Sequence, residues 1–271
     1  MSRSIAVLLA ALGLAAPLVS APAPAASDSP ILSRILSSGT LRVGMSGGQP
    51  PLNFRSKKGE LLGLDVDLAR ALSGLMKLEL RIVEKPFGEL LGALAGGEVD
   101  LVISGLTITA ERNTRACFVG PYFLSGKSIL TRSTSLAQAE KAEDLDQPDL
   151  KLAALAGSTS QQFVESMLPK ASLVTTADYD EAVKLLLADR VSAVVADREI
   201  VALTALLHPK DGLAILREPL TIEPLGIAAP PGDALLLNYL ENAMAALEAS
   251  GFMSAVRARW LERSDWVQQL P

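Results

Sequence analysis

Cysteine is almost absent from this chain of 271 residues. Cys117 stands alone, so no intramolecular disulfide can form and stability must come from burial. Histidine is as scarce, and with His208 the single one there is no His/Cys cluster at metal-ligand spacing. Aromatics make up only 4% of the residues, so Leu, Ala, Val and Ile must fill the core and each aromatic has a particular place to explain. No block of like charge occurs and the net charge is −5, which gives no reason to expect nucleic acid as a partner. The Walker phosphate loop is missing, and no cofactor or metal is expected.

The start of the chain has its own pattern. Arg3 gives a positive beginning, and Ile5 to Leu18 form an apolar run of 14 residues, short of the ~20 needed to span a membrane. Small residues follow, and Ala23-x-Ala25 fits a signal-peptidase site. Residues 1–25 are therefore expected to be a cleaved secretory signal, with a retained anchor as the alternative, and the mature protein is expected to be periplasmic. Cleavage removes Arg3 and no acid, so the net charge moves from −5 to −6. Cys117 lies too far from that site to carry a lipoprotein's lipid; within Ala116-Cys117-Phe118-Val119 it reads as a small buried hydrophobe.

Beyond the signal, short apolar runs alternate with helix-period segments, the pattern of α/β architecture. Leu41–Met45, Leu78–Val83, Leu101–Ile103, Leu152–Ala156 and Val191–Ala196 read as strands. Leu64, Leu68, Leu72 and Leu75 recur at helical spacing, with Asp65 and Asp67 as first-turn acids. Leu94–Ile103 is echoed by Leu187–Val195, each reading as helix end, tight turn and buried strand, which implies two similar units. The polar stretch Thr131–Asp149 is a candidate connection between them, and the prolines of Glu218–Pro224 suit an extended return.

In open parallel sheets, ligands gather at the carboxyl ends of strands. Three such ends are polar here: Ser104-Gly105-Leu106-Thr107 leading to Arg112, Gly157-Ser158-Thr159, and Asp197. A guanidinium offers a planar fork to a carboxylate and an aspartate can hold an ammonium, so Arg112 with Asp197 suits an amino-acid zwitterion. Ser158, Thr159 and Asp197 equally suit helix N-caps, and Arg112 a surface charge beside Glu111, so the residue types leave both readings open. His208 reads as a solvated residue at a helix end.

The ordered set Leu41-Arg42-Val43-Gly44, Pro50–Phe54, Gly63–Ala69, Val99–Ile103, Thr107-Ile108-Thr109-Ala110-Glu111-Arg112 and Gly120-Pro121-Tyr122 resembles the family-3 extracellular solute-binding proteins, the amino-acid receptors of ABC importers. The resemblance implies a type II periplasmic binding fold of two α/β lobes hinged by two crossing strands. It places the first lobe at 26–127 and 225–271 and the second at 128–224. It implies that Arg112 clamps an α-carboxylate, that Ser104, Gly105 and Thr107 contact the ligand's ends, that Ser158 and Thr159 supply second-lobe hydroxyls, and that Asp197 receives the α-ammonium. Phe87 matches an aromatic that packs on the ligand's side chain, and Gln49 stands where many relatives carry an aromatic. Ser46 stands where receptors for cationic amino acids carry an acid, which disfavours a lysine- or arginine-type ligand. Phe54, Phe87, Tyr122 and Phe123 lie in or beside these motifs and are expected near the cleft. A membrane permease is the implied partner, and a monomer the expected state.

Two alternatives share the scaffold. The layout also resembles the cyclohexadienyl (arogenate/prephenate) dehydratases, whose general-acid glutamate falls three residues after the matching aspartate. Here that position is Ile200, with Glu199 one residue early, and a one-residue shift turns a helical side chain by about 100°. The expectation is a binding protein and not an enzyme. The other alternative is a soluble receptor that docks on a signalling partner.

Overall fold

The alternating pattern resolves into two five-stranded sheets in the computed structural model, which describes residues 29–271. The expected signal, residues 1–25, lies outside the described residues. The described residues begin with α1 (Pro30–Ser38) and β1 (Thr40–Met45). A small antiparallel sheet follows, formed by β2 (Gly48–Gln49), β3 (Asn53–Arg55) and β4 (Leu61–Leu62). Next come α2 (Leu64–Met76), β5 (Glu79–Glu84), α3 (Leu90–Ala95), β6 (Leu101–Val102), the single turn α4 (Ala110–Asn113) and β7 (Cys117–Ser125). The second sheet is assembled from β8 (Lys127–Thr131), β9 (Lys151–Leu155), α5 (Thr159–Met167), β10 (Ser172–Thr176), α6 (Tyr179–Leu187), β11 (Ala193–Asp197), α7 (Arg198–Leu207) and β12 (Ala214–Ile215). β13 (Glu223–Ala229) then returns to the first sheet, and α8 (Ala234–Ala249) and α9 (Phe252–Arg257) follow.

The strand orders are β5-β1-β6-β13-β7 and β10-β9-β11-β8-β12. β1 runs parallel to β5 and β6, and β9 runs parallel to β10 and β11, whereas β13 and β8 enter antiparallel. β6 and β11 are central and buried along their length, as strands covered on both faces must be. These are the two strands of the repeated sequence. Each follows a turn with one left-handed residue, Gly97 and Asp189, two positions before the buried Val99 and Val191. α2 buries Leu64, Leu68, Leu72 and Met76 against the first sheet, each contributing about 1.5–3 kcal/mol by burial. Asp65 and Asp67 do more than serve the helix dipole. Asp65 accepts from Tyr122 Oη (2.8 Å) and Asn53 Nδ2 (2.7 Å), and Asp67 accepts from Trp260 Nε1 (2.8 Å).

The chain crosses from one sheet to the other at Gly126 and recrosses before β13. The crossing segments touch, since a Cβ on Gly126 would lie 2.3 Å from Thr221 O, and Leu220 N donates to Lys127 O (2.7 Å). The polar stretch Thr131–Asp149 is not that crossing; it folds back over the second sheet, burying Leu145 with Leu152 and Phe163. Cys117 differs from its expected burial: it opens β7, the edge strand of its sheet, and is half-exposed for that reason. Among the described residues no helix is long and apolar enough to cross a membrane.

Candidate functional site

The end of β6 turns through Ser104 and Gly105 into Thr107, and Thr109 then caps α4 by accepting from Arg112 N (3.1 Å). That cap fixes the backbone from which Arg112 projects. Its side chain is 4% exposed, too deep for a surface charge. Nη1 donates to Thr107 O (2.9 Å), Nη2 donates across to Gly157 O (3.2 Å), and the guanidinium carbon lies 5.8 Å from the centre of the Phe87 ring. Burial pulls the guanidinium below its ordinary value, and the fields of Asp197 and then Glu223 oppose that shift.

The facing wall comes from the ends of β9 and β11. Thr159 Oγ1 lies 3.2 Å from Thr107 Oγ1, so the two threonines meet between the lobes. Gly88 and Gly157 also meet there, because a Cβ on Gly157, whose φ is +74°, would come within 2.7 Å of Gly88 Cα. Asp197 heads α7 without capping it. Its register partner in β8 is Lys127, only 1% exposed, whose Nζ binds Asp197 Oδ1 and lies 3.6 Å from Glu223. Among the described residues nothing donates to Asp197 Oδ2. Lys127, wedged between two carboxylates, leaves this end of the site with one net negative charge, while Arg112 gives the other end one positive charge.

Of the residues singled out from sequence, Arg112, Thr107, Thr159, Gly105, Phe87, Gln49 and Asp197 come together at this junction. The hydroxyls of Ser104 and Ser158 are engaged in holding their loops. Ser104 Oγ accepts from Ser46 N (3.0 Å), and Ser158 Oγ donates to Leu155 O (2.6 Å) while accepting from Gln161 N (3.2 Å). The aromatics divide differently from expectation. Phe87 lies over Arg112, but Phe54 stacks with Trp260 and Trp266 in the first lobe's core, Tyr122 is buried on Asp65, and Phe123 faces a hinge-side groove. That groove, about 740 Å³, is separate from the junction and is lined by Leu124, Leu203, Leu206 and Glu199 among others. Sequence reasoning missed Lys127, Glu223 and Gly88. A single lysine shortly before the apolar pair Ile129-Leu130 was the one available signal.

Glu199 Oε2 accepts from Ser125 Oγ at 2.7 Å, which ties α7 to the outgoing crossing segment. Burial, aided by the charge of Asp197, pushes its carboxyl up to about 8. Ile200 is buried in the core.

The profile of bacterial extracellular solute-binding proteins, family 3, matches residues 41–263. The chain belongs to this family. This solute-binding protein is 28% identical over 262 residues to the cyclohexadienyl dehydratase of Pseudomonas aeruginosa, with 97% of each chain covered. It is 31% identical over 230 residues to the L-arginine-binding protein of the same organism, covering 81% of this chain and 87% of that one. Among solved structures it is similar to an ancestral amino acid-binding protein described as a precursor of cyclohexadienyl dehydratase. There the identity is 33% and the TM-score 0.77, with 85% of this solute-binding protein and 98% of that chain covered. The two-lobed type II periplasmic binding fold is common to these proteins.

Proposed function

We propose that the protein captures an amino acid between its lobes and delivers it to the membrane permease of an ABC importer. The observation that carries this reading is the separation of charge at the junction. Arg112 offers N–H groups at one end, and Asp197 Oδ2 offers an open acceptor at the other. A zwitterion fits that polarity end for end. The lobes are taken as 26–127 with 225–271, and 128–224, and residues 1–25 as the signal that exports a monomeric periplasmic protein. The ligand docks first on the Arg112 lobe, and closure then brings Thr159 and Asp197 against it. Closure excludes water, which strengthens both charge contacts. Calorimetric titration of the purified protein with amino acids tests the reading, which predicts saturable binding that is markedly weaker in Arg112→Ala.

A second reading is supported by Glu199. Its carboxyl holds its proton at neutral pH and lies near Asp197, so the chain contains a buried proton donor of the kind a dehydratase on this scaffold needs. Against it, that carboxyl turns to Ser125 and the hinge-side groove. Incubation with prephenate tests this reading: formation of phenylpyruvate, lost in Glu199→Gln, would establish an enzyme.

A further inference from the structure

The crossing between the lobes carries more acid than its lysine can balance. Three carboxyls, those of Asp197, Glu199 and Glu223, gather around Gly126 and Lys127. Lys127 Nζ binds Asp197 and lies 3.6 Å from Glu223, which also accepts from Thr221 Oγ1 (2.8 Å). Glu199 has no such partner. Its Oε2 meets only the neutral hydroxyl of Ser125, and its Oε1 is sealed from water with no donor among the described residues reaching it. An ionised carboxylate so placed is an uncompensated buried charge, so Glu199 is the one of the three that keeps a proton, in line with its value of about 8.

The other charged groups around Glu199 are engaged elsewhere. Across the hinge-side groove Arg257 pairs with Glu248 and Arg263 with Asp265, Arg198 donates to Leu216 O (3.1 Å), and Glu262 is a further acid. The phenols of Tyr122 and Tyr179 are pushed up by burial and stay neutral. The cluster is also fixed in place by backbone pairing. Lys127 pairs in register with Asp197, Ser125 pairs with Glu223, and Arg198 N donates to Gly126 O (2.9 Å). Lying on the crossing itself, it stays assembled when the lobes part, so what changes on ligand capture is the charge at Asp197 and not the burial of Glu199.

We propose that ligand capture is linked to proton release at the hinge: the ligand's ammonium, arriving at Asp197 Oδ2, supplies the second cation that the cluster lacks and lets Glu199 give up its proton. This rests on the amino-acid reading above. Glu199 lines the hinge-side groove, which gives the proton a way out. Because binding releases a proton, affinity rises with pH while Glu199 of the ligand-free protein is still protonated, and levels off above about pH 8.

The test begins with a thermal-shift screen of the twenty standard amino acids. The one that stabilises most is titrated calorimetrically into the purified protein at pH 7.5 in phosphate and in Tris, two buffers of different ionisation enthalpy. The difference in heat is expected to report release of about half a proton per ligand, and the affinity is expected to be about fivefold tighter at pH 8 than at pH 6, as for a group lowered by ~1 pH unit on binding. Glu199→Gln is expected to remove the release and to flatten the pH dependence. No release by the wild type, net uptake, or a release that Glu199→Gln retains overturns the linkage while the amino-acid reading stands. Stabilisation by none of the twenty overturns the amino-acid reading itself. The wild-type heats in the two buffers decide the matter even where the variant fails to fold.

Discussion

A guanidinium buried as deeply as that of Arg112 must be met by acceptors, and in the closed arrangement two backbone carbonyls, Thr107 O and Gly157 O, meet it. On the proposed reading its remaining N–H groups are the fork for a ligand carboxylate. Arg112→Ala is predicted to weaken ligand binding by about 2–5 kcal/mol, as expected when one partner of a desolvated charge pair is lost. Arg112→Lys keeps the charge but not the fork, and is predicted to recover only part of the loss; titration of both variants checks this. Lys127 has a different role, holding Asp197 and Glu223 together in a buried space. Lys127→Met leaves two carboxylates facing each other there and is predicted to cost about 3–5 kcal/mol of stability at neutral pH. Denaturant titration of wild type and variant tests the assignment. The positions of Arg112 after β6 and of Asp197 at the end of β11 were legible because their motif and strand end are local in sequence. Lys127 was not, because its importance arises from strand pairing with a residue 70 positions away.

At the scale of elements, the hydroxyl of Ser125 and the carboxyl of Glu199 join α7 to the crossing segment. Because folding raises this carboxyl from an ordinary value of 4.5 to about 8, the native state holds a proton that the unfolded chain releases. The stability linked to it is fully present below pH 4.5 and is lost as the pH rises toward about 8, at ~1.4 kcal/mol per pH unit. Glu199→Gln cannot titrate. It is therefore predicted to flatten the decline of stability between pH 5 and pH 8 and to melt higher than wild type at pH 8. Apolar period and glycine placement made the strands and helices readable, and the echo of Leu94–Ile103 in Leu187–Val195 identified the central strand of each sheet. The crossing point was harder to read. Composition drew attention to the polar stretch Thr131–Asp149, whereas the chain crosses in one step at Gly126, where the absence of a Cβ lets two segments touch.

At the scale of the whole molecule, the lobes meet through small contacts: the paired hydroxyls of Thr107 and Thr159, and the bare backbones of Gly88 and Gly157. Beside these contacts, one buried apolar cluster takes members from both lobes, Phe87 and Leu106 from the first and Leu155 and Tyr179 from the second. Gly157→Ala puts a methyl against Gly88 and is predicted to hold the lobes apart, visible as a larger radius of gyration in solution scattering and weaker ligand binding. The family was legible from ordered motifs spread along the mature chain, because each fixes a strand end or a turn of the shared fold. The meeting of Thr107 with Thr159 and of Gly88 with Gly157 was not, since it depends on how the two lobes come together. The central claim, that the junction is an amino-acid site, is tested most directly by thermal denaturation in the presence of each standard amino acid. At about one hundred times its dissociation constant, the right ligand is predicted to stabilise the wild-type protein by about 2.7 kcal/mol and Arg112→Ala by less than about 1 kcal/mol. Stabilisation by no amino acid, or equal stabilisation of Arg112→Ala, would contradict it.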